Sequence, residues 1–126
     1  MIFLSYILVI LAAVFNAVMD TLIHHHPTSV FKNYKTGFFA DALTVSWRNK
    51  YVDGNPINGR KKWFWKINIP VQFTDAWHFS KSCMIIFLIA AAVLYKPLFG
   101  VLIDFVAFGI LWNITFNFFY NVILRK

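Results

Sequence analysis

The chain of 126 residues is 60% hydrophobic and 20% aromatic, and only 13% of its residues are charged. Average soluble domains are about 45–50% apolar and about 25% charged, so this composition argues against a water-soluble fold and predicts an integral membrane protein with a single domain, residues 1–126. The formal net charge of +7 suits anionic lipid headgroups or nucleic acid, and the long apolar runs favour lipid.

The first apolar run, IFLSYILVILAAVFNAVM at residues 2–19, contains no charged side chain. A helix that spans a bilayer needs about 20 apolar residues, so the run predicts a transmembrane helix over about residues 2–26. A cleaved signal peptide is the alternative interpretation, and such a peptide usually begins with a basic region. No Lys or Arg precedes the apolar run here, which disfavours cleavage.

Two further apolar runs predict a helical hairpin. The run CMIIFLIAAAVLY is too short to span a bilayer alone, and extension back through TDAWHFSKS predicts a helix over residues 74–95. Thr74 or Asp75 is expected to cap this helix, because either side chain can accept a hydrogen bond from a free backbone N–H. Pro97 is expected to begin a third helix over residues 97–124, because proline suits the first helical position.

Basic residues are distributed unevenly between the two predicted sides of the membrane. They concentrate in the connection at residues 27–73 and in the C-terminal tail: Lys32, Lys35, Arg48, Lys50, Arg60, Lys61, Lys62, Lys66, Arg125 and Lys126. The opposite side has only Lys96. The positive-inside rule therefore predicts a cytoplasmic connection and C-terminus, with the N-terminus outside. The predicted fold class is an all-α, multi-pass protein of the inner (cytoplasmic) membrane, with three transmembrane helices and a cytoplasmic interfacial loop between the first two.

Polar side chains recur every three or four residues in the cytoplasmic half of each predicted helix. Residues four apart share one face of a helix that turns about 100° per residue. Such sets occur in all three helices: Asn16, Asp20 and His24 in the first, Asp75 and His78 in the second, and Asn113, Asn117 and Asn121 in the third. Because polar groups near hydrocarbon are costly without a partner, the three sets are expected to face one another and form one interior polar site.

Carboxylates and imidazoles at this spacing are typical metal ligands, because two helical residues three or four apart can hold one ion. The predicted ligands are Asp20, His24, Asp75 and His78, and the predicted catalytic residues are Asp20, Asp75 and His78. A mixed nitrogen and oxygen ligand set suits a divalent zinc, manganese or iron ion. The residues predicted to orient the ligands or to bind a substrate headgroup are Asn16, Asn113, Asn117, Asn121, Arg48 and Lys50. A metal-activated water would then hydrolyse or modify a lipid phosphate or ester, whose anionic headgroup the basic loop would attract.

Other interpretations remain open from the sequence. The same polar residues are typical of hydrogen bonds that join membrane helices, or of an ion or proton pathway. The second functional hypothesis is therefore a non-enzymatic membrane component, such as an assembly subunit, a holin-like pore former or a scaffold. Three helices bury little area within one chain, so a homo-oligomer is a further hypothesis. Nucleic-acid binding is disfavoured, because no recognisable nucleic-acid module surrounds the basic and aromatic stretch KKWFWK at residues 61–66.

Asp104 lies about 10 Å from the outer end of the predicted third helix, at about 1.5 Å per residue. An intramembrane carboxyl group is a functional hypothesis by default. We expect the side chain to be protonated and hydrogen-bonded to Ser5 or Tyr6 of the first helix.

Two stretches, SWRNKYVDGNPINGRKKW at 46–63 and FTDAWHFSKS at 73–82, resemble motifs of small uncharacterised bacterial and phage membrane proteins. That pattern also has an upstream N-x-x-x-D element, which Asn16 and Asp20 match. The resemblance covers about half of the chain and implies no activity. It does imply that the SWRNKY segment and the start of the TDAWH helix work together. The additional candidate site residues that follow from it are Asp41, Arg48, Asn49, Lys50 and Asp53.

Overall fold

The fold is all-α, with three long helices and a mostly irregular connection between the first two. The computed structural model describes residues 3–58, 62–63, 67–68 and 70–126. Helix α1 covers Leu4–His24, α2 covers Ala76–Val93 and α3 covers Val101–Phe118, and a π-helical segment continues α3 over Phe119–Ile123. All three are long and apolar enough to cross a membrane, which confirms the prediction of three spans. The predicted start of the first helix, at residue 2, lies outside the described residues.

Helix α1 is the central helix, because α2 and α3 each pack against it and hardly touch each other. Inside the protein, 39% of the α1 span is buried, against 17% of the α2 span and 6% of the α3 span. Ala12, Ala13 and Ala17 of α1 are fully buried, and such small residues let membrane helices approach closely. An apolar groove of about 620 Å³ separates α2 from α3, with Val9 of α1 among its lining residues. Helix α3 therefore leaves most of its surface uncovered.

The sequence predicted the start of α2 better than the start of α3. Asp75 is the N-cap of α2, since its Oδ1 accepts a hydrogen bond from His78 N at 2.9 Å, as predicted. The predicted start of the third helix at Pro97 is wrong. Helix α3 begins at Val101, after Gly100, whose φ of 116° lies in the left-handed region that favours glycine.

Asp104 joins all three helices at the end of the protein where α1 begins. Its side chain is fully buried. Its Oδ1 accepts hydrogen bonds from the Tyr6 hydroxyl at 2.6 Å and from Phe99 N at 3.1 Å. Its Oδ2 accepts from the Tyr95 hydroxyl and from Leu98 N, both at 2.8 Å. The predicted bond to Tyr6 is confirmed. The protonated form stays a prediction, because a tyrosine hydroxyl can accept a hydrogen bond from an acid proton as well as donate one.

The connection between α1 and α2 consists of turns and short 3₁₀ segments. These segments lie at His26–Thr28, Ser46–Lys50, Val52–Gly54, Pro56–Asn58 and Val71–Phe73. A two-residue antiparallel ladder pairs Lys62–Trp63 (β1) with Ile67–Asn68 (β2). Three basic residues in or just before the stretch KKWFWK lie outside the described residues: Arg60, Lys61 and Lys66.

Backbone hydrogen bonds fasten both the connection and the C-terminus to the end of α1. Ala42 N donates to Leu22 O at 3.1 Å, and these two residues form a small buried core with Ala76. Val30 N donates to Leu124 O at 2.9 Å, which holds the C-terminal tail against the same region. The end of α1, the start of α2 and the end of α3 therefore meet at one end of the protein, which we call the loop side.

Candidate functional site

A buried Asp–His pair lies at the first turn of α2. Asp75 is 1% exposed, and its Oδ2 lies 2.7 Å from Nδ1 of His78. The Thr74 hydroxyl lies 3.0 Å from the same carboxylate oxygen. Because a carboxylate only accepts hydrogen bonds, this contact places the imidazole proton on Nδ1 and leaves Nε2 as the free ring nitrogen. Asp75 thus both caps the helix and orients the His78 ring, whose side chain is 21% exposed.

The Asp–His pair forms part of the wall of a small cleft on the loop side. The cleft has a volume of about 140 Å³. Its lining comes from the end of α1, the connection and the first turn of α2: Ile23, Ala42, Leu43, Trp47, Asp75, Trp77 and His78. Most of these side chains are apolar, so the polar groups that reach the cleft are few and closely placed.

Each of the two tryptophans that line the cleft carries a cation on its ring. The Arg48 guanidinium carbon lies 5.4 Å from the Trp47 ring centroid, and Lys81 Nζ lies 4.9 Å from the Trp77 ring centroid. Cation–π contacts at such distances contribute about 0.5–1 kcal/mol at exposed positions. They hold one positive charge beside each tryptophan of the cleft, which we call the tryptophan cleft.

Two polar atoms, one in the cleft residue Trp77 and one in Ser46, which precedes the cleft residue Trp47 in the chain, lack hydrogen-bond partners. Trp77 Nε1 and Ser46 Oγ are buried, and neither has a partner among the residues that the structure describes. Buried polar groups in native proteins are nearly always hydrogen-bonded. The indole nitrogen is a donor only, and Trp77 is one of the residues that line the cleft.

The SWRNKY and TDAWH segments are in contact. Asn49 Nδ2 donates to Thr74 O at 3.1 Å and to Gly37 O at 3.0 Å. Trp47 from the first segment and Trp77 from the second line the same cleft. The resemblance implies that these segments work together, and the structure brings them together through one asparagine side chain.

The predicted four-residue metal site is not assembled. Asp75 and His78 are adjacent, but within residues 3–58, 62–63, 67–68 and 70–126 no group of three or more His, Cys, Asp or Glu side chains is placed to hold a metal ion. The α1 residue that lines the cleft is Ile23, and neither Asp20 nor His24 is among the lining residues. Asp20 is half-buried and lies within electrostatic range of His24 and Tyr120, toward the C-terminal end of α3.

The predicted convergence of the asparagines with the other polar residues is also wrong. Asn113, Asn117 and Asn121 are exposed, on the side of α3 that no other helix covers. Asn16 is half-buried on α1 and does not line the cleft. The single interior site therefore separates into an Asp–His cleft on the loop side and an exposed asparagine row on α3.

The remaining predicted residues lie near the cleft or have a local role. Arg48 stands beside the cleft through its contact with Trp47, whereas Lys50 lies 5.4 Å from the ring centroid of Tyr51. Asp41 accepts hydrogen bonds from the backbone N–H groups of the two residues Leu43 and Thr44, which shapes the turn.

The apolar and aromatic walls of the cleft were not predicted from the sequence. These are Ile23, Leu43, Trp47 and Trp77. The signal available was a tryptophan in each of the two resembling motifs, but the sequence does not show that those tryptophans approach one another.

Comparison of the chain with protein-family models, with curated proteins and with solved structures found no match.

Proposed function

We propose that the tryptophan cleft binds the anionic headgroup of a membrane lipid, and that the Asp75–His78 pair acts on the bound molecule as a general base. The observation that carries this proposal is the unpartnered indole N–H of Trp77, a residue that lines the cleft, together with Arg48 and Lys81 on the two tryptophan rings. All three groups donate hydrogen bonds and none accepts, so the complementary ligand is an acceptor with negative charge, such as a phosphate.

The acidic residue of the cleft is compatible with an anionic ligand. The Asp75 carboxylate already accepts hydrogen bonds from His78 N and His78 Nδ1. Neither Arg48 nor Lys81 forms an ion pair with this carboxylate, so both cations remain available for an anion.

The position of the cleft favours a lipid over a soluble anion. The cleft lies beside the loop-side ends of the apolar spans of α1 and α2, and headgroups are expected at such helix ends if the two helices cross a bilayer. Tryptophan favours that zone, and Lys and Arg extend from helix ends to reach lipid phosphates. The apolar side chains of Ile23 and Leu43 would contact the part of an acyl chain that lies next to the glycerol.

The proposed chemistry is hydrolysis of an ester or phosphoester of the bound lipid. His78 Nε2 would take a proton from a water molecule while the oxygen of that water attacks the carbonyl carbon or the phosphorus of the lipid. The ester C–O or P–O bond then breaks, and the imidazolium returns the proton to the departing alkoxide. Asp75 keeps the ring in the required tautomer throughout. The predicted catalytic roles of Asp75 and His78 stay in this proposal, and that of Asp20 is withdrawn because Asp20 does not line the cleft.

Headgroup binding can be tested with purified protein in detergent and native mass spectrometry of lipid adducts. We expect phosphatidylglycerol to bind better than phosphatidylcholine. Trp77→Phe keeps the ring but removes the N–H, and should weaken phosphatidylglycerol binding about tenfold, as expected for one hydrogen bond to a charged acceptor. Lys81→Gln removes one of the two cations beside the cleft, and Lys96→Gln is its matched control. Lys96 is exposed at the opposite end of the protein, so only Lys81→Gln should reduce binding.

Equal binding of the two lipids, unchanged by Trp77→Phe, would contradict the proposal. Competition with inorganic phosphate separates a lipid site from a free-anion site. Release of the headgroup or fatty acid, measured by mass spectrometry and lost in His78→Ala, tests the catalytic step. Metal analysis of the same preparation tests the predicted zinc, manganese or iron ion, for which Asp75 and His78 are the adjacent pair of ligands.

We also propose that the loop side is cytoplasmic in an inner membrane, since the basic residues concentrate there. A green fluorescent protein fused after Lys126 should fluoresce, and alkaline phosphatase fused at the same position should be inactive. Active phosphatase would show the opposite orientation.

A second candidate function is the non-enzymatic membrane component, favoured by a different observation. Only 6% of the α3 span is buried inside the protein, although this helix carries three asparagines. A helix of that kind is typical of a subunit that assembles with others in the bilayer.

A further inference from the structure

The asparagine row of α3 comprises Asn113, Asn117 and Asn121, which all lie within the membrane span Val101–Ile123. The three side chains are exposed, on the side of the helix that faces away from α1. Gly109, one step earlier at the same spacing of four, is exposed where it lines the groove between α2 and α3, and a Cβ at this position would meet nothing within 4 Å. A polar row of this kind would face hydrocarbon directly if the protein were a monomer.

Hydrogen bonds along the helix use only part of the capacity of these amides. Asn113 Nδ2 donates to Gly109 O at 2.9 Å, and Asn117 Nδ2 donates to Asn113 O at 2.8 Å. Asn121 Nδ2 donates to Asn117 Oδ1 at 3.3 Å. Each amide nitrogen carries two protons, so each asparagine has a second N–H besides the one that it donates along the helix. In hydrocarbon an unsatisfied donor of that kind is costly.

We propose that the asparagine row is the contact surface between two copies of this chain. An amide side chain carries both a donor and an acceptor, so its best complement is another amide. A two-fold axis along the membrane normal places each residue opposite a residue of the same depth. Asn113 would then meet Asn113 of the second copy, and Asn117 would meet Asn117. Lipid chains offer no such partner.

The geometry of the row also favours close approach of two helices. Residues spaced by four form a ridge that packs against an identical ridge at a crossing angle of about −50°. Gly109 has no side chain, so it lets two backbones come near one another, as in other right-handed membrane helix pairs. The expected contact is therefore a right-handed crossing near Gly109 and Asn113, with apolar support from Ile110 and Ile114.

Cysteine cross-linking in liposomes tests this surface with a control at matched depth. The background is Cys83→Ser, which removes the native cysteine. Asn113 lies ten residues from the loop-side end of its span, Ile123, and Ile86 lies ten residues from the start of α2, Ala76, each about 15 Å deep. Ile86 is 60% exposed. Oxidation should link Asn113→Cys into a dimer and leave Ile86→Cys monomeric.

Removal of the amides supplies the second measurement. The double substitution Asn113→Leu with Asn117→Leu should raise the dissociation constant of the dimer in liposomes about tenfold or more. Fluorescence energy transfer between labelled copies, recorded at increasing lipid dilution, measures this constant. Ile86→Leu with Ile89→Leu, on the exposed face of α2, should change it little. Leucine suits a membrane helix, and circular dichroism would confirm that the variant is folded. Equal cross-linking at both positions, a monomeric wild type, or a dimer unaffected by the asparagine substitutions would each overturn the proposal.

Discussion

Asp104→Ala should lower the melting temperature of the purified protein by roughly 10 °C or more. The carboxylate is fully buried and is the common acceptor for two tyrosine hydroxyls and two backbone N–H groups. These donors belong to α1, to the end of α2 and to the turn before α3. Alanine would leave all four without an acceptor in an apolar region, where an unmade hydrogen bond has its full cost.

Two further substitutions make the Asp104 prediction specific. Asp104→Asn replaces one acceptor oxygen with a donor and should give an intermediate loss. Asp53→Asn makes the same chemical change at an exposed position of the connection and should leave the melting temperature unchanged. Tyr6→Phe removes one donor of the four and should cost less than Asp104→Ala. The melting temperature of each variant is measured by circular dichroism during heating. A melting temperature for Asp104→Ala equal to that of the wild type would refute the role assigned to this side chain.

Asp75→Ala should lose both stability and hydrolytic activity, because one carboxylate performs two tasks. Its Oδ1 caps α2 through His78 N, and its Oδ2 holds His78 Nδ1 at 2.7 Å. An N-cap contributes about 1 kcal/mol, and a hydrogen bond to a charged group contributes about 1.5–3 kcal/mol. The expected loss in the free energy of unfolding is therefore about 2–4 kcal/mol.

Asp75→Asn separates the two tasks. The amide oxygen can still accept the bond from His78 N, so the cap should persist and the loss of stability should be smaller than in Asp75→Ala. The amide nitrogen is a donor and cannot accept from His78 Nδ1, so the ring should lose its fixed tautomer and orientation. We expect near-normal unfolding with a loss of any hydrolytic activity. Activity equal to that of the wild type would show that the Asp–His contact serves only to cap the helix.

The separation of the predicted polar site into two places shows what helical spacing can predict. Spacing correctly placed Asp75 and His78 on one face of α2, and Asn113, Asn117 and Asn121 on one face of α3. It does not give the direction in which a face points. The expectation that all polar faces turn inward was right for Asp75 and wrong for the asparagine row.

The amino-acid sequence by itself determined that three apolar helices form, that Asp75 caps the second, and that Asp75 and His78 are adjacent. These features depend on hydrophobic length and on contacts within one or two turns of chain. The tertiary structure alone decided which α1 residue reaches the cleft, that Trp47 and Trp77 line it together, and that Asp104 binds donors from three elements. In a membrane the protein interior and the lipid are similarly apolar, so hydrophobicity cannot say which side of a helix meets protein. Only the packing of α2 and α3 on the alanine face of α1 settles that orientation.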